Sequence, residues 1–267
     1  MSTDIPRYSA DEIEKLRVAG RMAANVLEMI EPYIRPGVTT GELDQRCHRY
    51  IEDELKAIPA CLGYHGFPNA TCISLNHVVC HGIPSVNKKL KKGDILNIDV
   101  TVIKDGFYGD TSRMYTVGSN IQGERLSRVA QECLYKAMAI MVPGVHLSEI
   151  GKVIQHHAES NGYSVVRDYC GHGIGTEFHT EPQVLHYDGY DHRTDLMLEE
   201  GMCLTVEPMI NVGDYATKVL KDEWTAVTRD KSLSAQWEHT LVMTASGILV
   251  TTARQDEDFS SMPNVTR

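Results

Sequence analysis

Two aspartates are the first residues in this chain whose spacing suggests chemistry. The segment DILNIDVTVI alternates Leu96, Ile98, Val100 and Val102 with Asn97, Asp99 and Thr101, the period of a strand with one buried face. Lys104-Asp105-Gly106 follows, and then FYGDTSRMYTV. Asp-Gly between two such runs is a strong hairpin signal. A two-residue turn there sets Lys104 against Phe107, Asp99 against Ser112 and Asp110 against Thr101. Asp99 and Asp110 then become diagonal neighbours on one face. Carboxylates held this close need a proton, a cation or solvent. A metal ion is one solution and a solvated acidic face is the other.

Three further residues could join them. His172 lies in CGHGIG, between glycines that let backbone approach closely. Glu207 ends an apolar run in LTVEP, and Glu238 sits beside an aromatic in QWEHT. An acid in an apolar run is costly to bury unless it is paired or bound to metal. Each could equally close a buried salt bridge, and periodicity alone does not carry these three to the aspartate pair. Four carboxylates and one imidazole would suit Mn²⁺, Fe²⁺ or Co²⁺, with Zn²⁺ also compatible. Carboxylate bridges would hold two ions roughly 3.5–4 Å apart. The HExxH helix of single-zinc peptidases is absent.

Helices must position these strands. Ser9 and Glu12 have capping-box spacing, and Ile13, Leu16, Ala23, Leu27 and Ile30 recur at helical intervals up to Pro32. A second helix is expected from about Thr39, with Glu42 three residues on and Leu43, Cys47, Tyr50, Ile51 and Leu55 on one face. Two more are expected at about 122–141 and 148–161, with Gly162 as C-cap. GMCLTVEPMI and QWEHTLVMT read as strands, and RQDEDFSSMPNVTR as a polar, disordered tail.

A weak internal repeat links the halves. Pro36-Gly37-Val38 recurs 107 residues on as Pro143-Gly144-Val145. Glu42 and Glu149, Leu43 and Ile150, and His65-Gly66 and His172-Gly173 keep the same offset, while Asp99 precedes Glu207 by 108. Two similar halves facing each other would leave a cleft, where sites form. The expected organisation is one domain over 1–267, with halves at about 9–118 and 119–252 and the tail at about 254–267.

Bulk composition sets limits. The chain has 267 residues and is 42% hydrophobic, enough for a sizeable core. Lys and Arg total 26 against 36 Asp and Glu, so the net charge of −10 offers no attraction to nucleic acid or anionic membranes. Seven cysteines with no CxxC pair argue against both a disulfide framework and a zinc module. No secretory signal and no run of roughly 20 apolar residues is evident, so cytoplasmic residence is expected.

NIDVTVIKDGFYGDTSRM, GHGIGTEFHTEP, TVEPMI and QWEHT together resemble the type I methionine aminopeptidases, from about residue 9 to about residue 252. The form resembled is the bacterial one, without an N-terminal zinc-finger extension. The resemblance implies the α/β pita-bread fold, two pseudo-symmetric halves with antiparallel sheet and helices. It implies two divalent metal ions, with Ni²⁺ added to the candidates above. Asp99 would chelate one ion, Asp110 and Glu238 would bridge both, and His172 and Glu207 would complete the second site. A metal-bridging water would attack the scissile carbonyl, with Glu207 as proton shuttle.

Further roles follow from the same resemblance. His179 would contact the carbonyl oxygen, and His81 would lie near the substrate amide. Tyr64, Phe67, Cys72, Phe178 and Trp224 would line the methionine pocket with the two histidines. Tyrosine is frequent at the position of Phe67, so a hydroxyl contact there is lost. Asn76, Val78 and Ser234 match a monovalent-cation site. The implied activity is removal of the N-terminal methionine from nascent proteins with a small second residue. The enzyme would act as a monomer, with transient ribosome contact and no nucleic-acid or membrane partner. Two rivals stand beside this reading. A proline-specific peptidase of the same fold usually carries an extra N-terminal domain, for which this chain has no room. A non-enzymatic relative would typically have lost metal ligands, and all five are present.

Overall fold

The computed structural model describes residues 5–191, 193 and 195–267. Four helices form where the apolar spacing predicts them: α1 (Ala10–Ile30), α2 (Thr40–Arg49), α3 (Ile121–Ile140) and α4 (Leu147–Ser160). The Ser9 N–H donates to Glu12 Oε2 at 2.8 Å and closes the start of α1. At α2, the Glu42 N–H donates to Thr39 Oγ1 and the Thr39 N–H to Glu42 Oε2, a reciprocal capping box. The second helix is shorter than expected. It passes at Tyr50 into one wide turn, closed by Leu55 N–H to the Tyr50 carbonyl. Gly162, at φ +80, ends α4, with its N–H on the Glu159 carbonyl and that of Tyr163 on Ala158.

Each half packs its helices against its own strands. Leu27, Ile30, Leu43, Ile98, Val100 and Val102 share one core. Leu126, Leu134, Ile150, Ile154, Leu204 and Leu241 share another. In the first half, strand Ile95–Lys104 pairs with Phe107–Thr116 and with Cys72–Leu75. In the second, Cys203–Val206 lies between His239–Thr244 and Gly171–Gly173. The two halves meet where Phe107–Thr116 abuts His239–Thr244, and the Thr240 hydroxyl there donates to the Asp110 carbonyl at 2.7 Å.

The Pro-Gly-Val turns of the repeat are built alike. Gly37 and Gly144 take φ +91 and +92. Their N–H groups donate to the Leu90 and Leu198 carbonyls. Bridges Thr39–Lys89 and His146–Met197 follow each turn. The His-Gly correspondence fails. His65 lies in the short turn Tyr64–Gly66, whereas His172 lies in strand Gly171–Gly173. Gly173 faces Leu204 from that strand, whereas Gly66 pairs with no strand among the described residues. Two-residue matches in glycine-rich stretches carry too little information to register a loop.

Three other expectations need correction. GMCLTVEPMI is not one strand but two, Cys203–Val206 and Met209–Asn211. QWEHTLVMT divides likewise between Ser234–Gln236 and His239–Thr244. Pro208 has no N–H to give a ladder, and both chains change sheets at this point. The tail is not disordered. Phe259 is buried, Val265–Thr266 pairs with Gly247–Val250, and Arg254 has no exposed surface. Its polar composition conceals apolar anchors and a buried ion pair. All seven cysteines are free thiols.

Candidate metal centre

The hairpin has the anticipated register. Asp105 and Gly106 take φ +50 and +81, the left-handed pair that a type I′ turn requires. Lys104 faces Phe107, Asp99 faces Ser112 and Thr101 faces Asp110. Asp99 and Asp110 therefore share a face, and the Thr101 hydroxyl donates to Asp110 Oδ1 at 2.8 Å.

The breaks in the second half supply the facing acids. Val206 pairs with His239, so Glu207 and Glu238 leave the sheet opposite one another. The Glu238 N–H donates to the Ser112 carbonyl, and the Thr111 hydroxyl donates to the Glu238 carbonyl at 2.7 Å. These bonds draw Glu238 onto the hairpin beside Asp110. Strand Gly171–Gly173 brings His172 in from the other side, its N–H on Thr205 Oγ1. His172 Nε2 lies 3.8 Å from Asp110 Oδ2 and 3.6 Å from Glu207 Oε1. Donor atoms of Asp110, His172 and Glu238 all fall within 4.8 Å of one another. Asp99 adjoins this triad through Asp110, and Glu207 through His172.

The electrostatics call for a cation. Burial pushes the Asp99 carboxyl up to about 7. Burial, then the charge of Asp99, pushes Glu207 up to about 8. Asp110 and Glu238 are raised well above the carboxylate range by burial and by the neighbouring acids. Four acids that resist ionising together become a ready donor set once a divalent charge enters. Glu238 is 1% exposed, and its Oε2 has no hydrogen-bond partner within the protein. His172 Nδ1 lies 3.0 Å from the Gly173 carbonyl, which can only accept. The proton is thus on Nδ1, and the Nε2 lone pair faces the acids. Burial holds the imidazole down to about 4, so it is neutral near pH 7. These residues fit a divalent cation.

A cavity of about 440 Å³ opens on this centre. Its lining includes the five metal-ligand candidates and also His81, His179, Tyr64, Phe67, Cys72, Phe178 and Trp224. The Phe67 and Trp224 rings meet edge-on at 5.1 Å, and Tyr64 leans on Phe178 at 4.7 Å. His81, at φ +54, stands edge-on to Trp224 and Tyr169. Tyr64 Oη and His179 Nδ1 are 2.8 Å apart. Burial first, then His172, holds His179 down to about 3.

Asn76, Val78 and Ser234 are outside this lining. The Ser234 N–H donates to the Asn76 carbonyl, and Ser234 Oγ is buried without a partner. Sequence reasoning missed Cys61, His65, Asp168, Tyr169 and Met209 in the cavity wall. It also missed the residues that hold Glu207. Thr205 Oγ1 and Gln236 Nε2 donate to its carboxylate, and its N–H donates to His186 Nε2. Met209, Thr205 and Gln236 lie inside TVEPMI and QWEHT, and Asp168 and Tyr169 lie close before GHGIG, whereas Cys61 and His186 had no sequence signal nearby.

The profile of metallopeptidase family M24 matches residues 14–245. The methionine aminopeptidase of Salmonella typhimurium is 60% identical over 250 residues, spanning 93% of this chain and 94% of its own. The crystal structure of methionine aminopeptidase from Rickettsia prowazekii aligns with a TM-score of 0.90 at 51% identity, over 93% of this chain and 100% of that one. The prolidase of Pyrococcus furiosus aligns at 0.69 and 22% identity, over 93% of this chain and 66% of its own, a likeness of fold alone. The shared architecture is the mixed α/β pita-bread fold.

Proposed function

The chain belongs to metallopeptidase family M24, among its bacterial-type methionine aminopeptidases, and from that premise we propose how its pocket removes an N-terminal methionine. Asp99, Asp110, His172, Glu207 and Glu238 would hold two divalent cations. The observation that carries this reading is the orphaned Oε2 of Glu238, buried beside Asp110 and the His172 lone pair. The donor set suits Co²⁺, Mn²⁺ or Fe²⁺, and Zn²⁺ or Ni²⁺ are compatible. Such cations, when bound, supply Lewis acidity and acidify water at neutral pH.

The protein's own groups do the rest. Tyr64, Phe67, Cys72, Phe178 and Trp224 enclose the methionine side chain, since aromatic and sulfur surfaces suit a flexible thioether. The α-amino group is read beside Asp99. Tyr64 Oη meets His179 Nδ1 at 2.8 Å; with the hydroxyl as donor in that contact, Nε2 carries the proton and donates to the carbonyl oxygen as negative charge develops there. His81, against Trp224 and Tyr169, borders the scissile amide. Glu207, fixed by Thr205 and Gln236, takes a proton from the attacking water and delivers it to the leaving amine. A monovalent cation bound by Asn76, Val78 and Ser234 is part of the same reading.

The substrates are the N-termini of nascent polypeptides with a small second residue. We place the reaction in the cytoplasm, on a monomer that meets the ribosome transiently, with no nucleic-acid or membrane partner. No helix among the described residues is long and apolar enough to cross a membrane. Hydrolysis of Met-Ala-Ser should far exceed that of Xaa-Pro dipeptides and of methionyl peptides with a bulky second residue. Faster cleavage of the proline substrates would overturn the specificity.

A further inference from the structure

Outside the cavity lining lies a buried charged network that the reaction does not use. Arg254 has no exposed surface. Its Nη2 donates to Glu257 Oε1 and its backbone N–H to Glu257 Oε2, both at 2.8 Å. Tyr135 donates to the same Oε1, and His239 Nε2 lies 3.1 Å from it. A buried ion pair is weak as a source of stability, because desolvation cancels most of its attraction. What this one touches accounts for it better.

We propose that segment 251–257 is a brace that positions Asp110 and Glu238, acting through the hydroxyls of Thr111 and Thr240. Arg254 Nη1 donates to Thr111 Oγ1 at 2.8 Å, and that hydroxyl donates to the Glu238 carbonyl at 2.7 Å. Both directions are fixed, since a guanidinium only donates and a carbonyl only accepts. The Thr240 hydroxyl accepts from the Asp110 N–H at 3.1 Å and donates to the Asp110 carbonyl at 2.7 Å. Thr240 is held in turn by its N–H on Thr252 Oγ1 and its carbonyl under the Thr251 N–H. The backbones of both residues are thus tied by single hydroxyls to one C-terminal segment. Thr111 and Thr240 are positioning residues. Neither lines the cavity.

The inference rests on Asp110 and Glu238 being ligands. Its test compares the metal-stripped parent with Thr111→Val, which loses the hydroxyl at nearly constant shape, and Thr111→Ser, which keeps it. The measurements are Mn²⁺ affinity by calorimetry, the visible spectrum of the Co²⁺-loaded protein, and KM for Met-Ala-Ser at saturating metal. Thr111→Val should bind Mn²⁺ about tenfold more weakly and shift the Co²⁺ bands, with KM unchanged. Thr111→Ser should restore affinity and spectrum. Parent-like affinity and spectrum in Thr111→Val would overturn the brace even if that variant melts lower, and so would failure of serine to rescue. If Thr111→Val does not fold, Glu257→Gln takes its place, with a smaller loss of affinity expected and an unchanged affinity contradicting the proposal. A parent that binds no Mn²⁺ would instead sink the ligand assignment itself.

Discussion

Glu207 carries the sharpest prediction at the scale of single residues. Two donors, Thr205 and Gln236, fix its carboxylate, and burial raises its affinity for a proton. Glu207→Gln keeps the shape and one donor interaction but removes the proton acceptor. In the metal-loaded protein kcat should fall about a thousandfold while the melting temperature stays close to that of the parent. An unchanged kcat would remove Glu207 from proton transfer. The Asp99–Asp110 pair is readable in the sequence, because a two-residue turn and a period of two place both on one face. His172 and Glu238 are not readable that way. Nothing periodic links them to the hairpin, and only the family resemblance carried them there. The contacts of His186 and Gln236 with Glu207 are not readable either, since they span sequence separations of 21 and 29.

At the scale of elements, the site depends on α1 lying flush against the hairpin. A Cβ added at Gly109 would collide with the backbone of Ala19 and Gly20. Gly109→Ala must therefore push α1 off the strand that carries Asp110. We expect a loss of about 1–3 kcal/mol in unfolding free energy, and a loss of Mn²⁺ affinity measured by calorimetry on the still-folded protein. Wild-type affinity in a destabilised Gly109→Ala would show that the strand absorbs the strain without moving Asp110. Helices were the legible elements, because amphipathic spacing and caps are local. The paired breaks at Glu207 and Glu238 were not. Pro208 marks the first break, but nothing local marks the second, where the chain passes from Ser234–Gln236 to His239–Thr244 and changes pairing partners. The C-terminal segment was misread for a related reason. Polar residues such as Arg254 and Glu257 look solvated until each is seen to bury the other.

At the scale of the whole molecule, proton linkage separates the metal-free and metal-bound states. Asp99, Asp110, Glu207 and Glu238 hold protons more tightly in the fold than in the unfolded chain. Their contribution to stability is fully present below about pH 4 and is lost as pH rises through the folded values. Those values are about 7 for Asp99 and about 8 for Glu207. Glu257 works in the opposite sense. Burial opposes its ionisation, but His239 and Arg254 outweigh burial and hold the carboxyl well below the usual range. Its contribution is present above about pH 4.3 and is lost as pH falls. His172 and His179, held down to about 4 and about 3, pull the other way, adding stability as pH rises toward about 6.5. Four raised acids against these histidines should leave the metal-stripped protein melting at lower temperature at about pH 8 than at about pH 5, and saturating Mn²⁺ should flatten that slope. A metal-free profile that rises over this window would contradict the crowding of acids. Of the faint repeat, the Pro-Gly-Val turns are built alike, and His65-Gly66 and His172-Gly173 are not. The central claim, that peptide-bond hydrolysis depends on divalent cations held by the five side chains, is tested most directly by hydrolysis of Met-Ala-Ser before and after exhaustive chelation, followed by stepwise return of Co²⁺, Mn²⁺ or Fe²⁺. Activity should vanish with the metal and return with it, and full activity surviving exhaustive chelation would contradict the account.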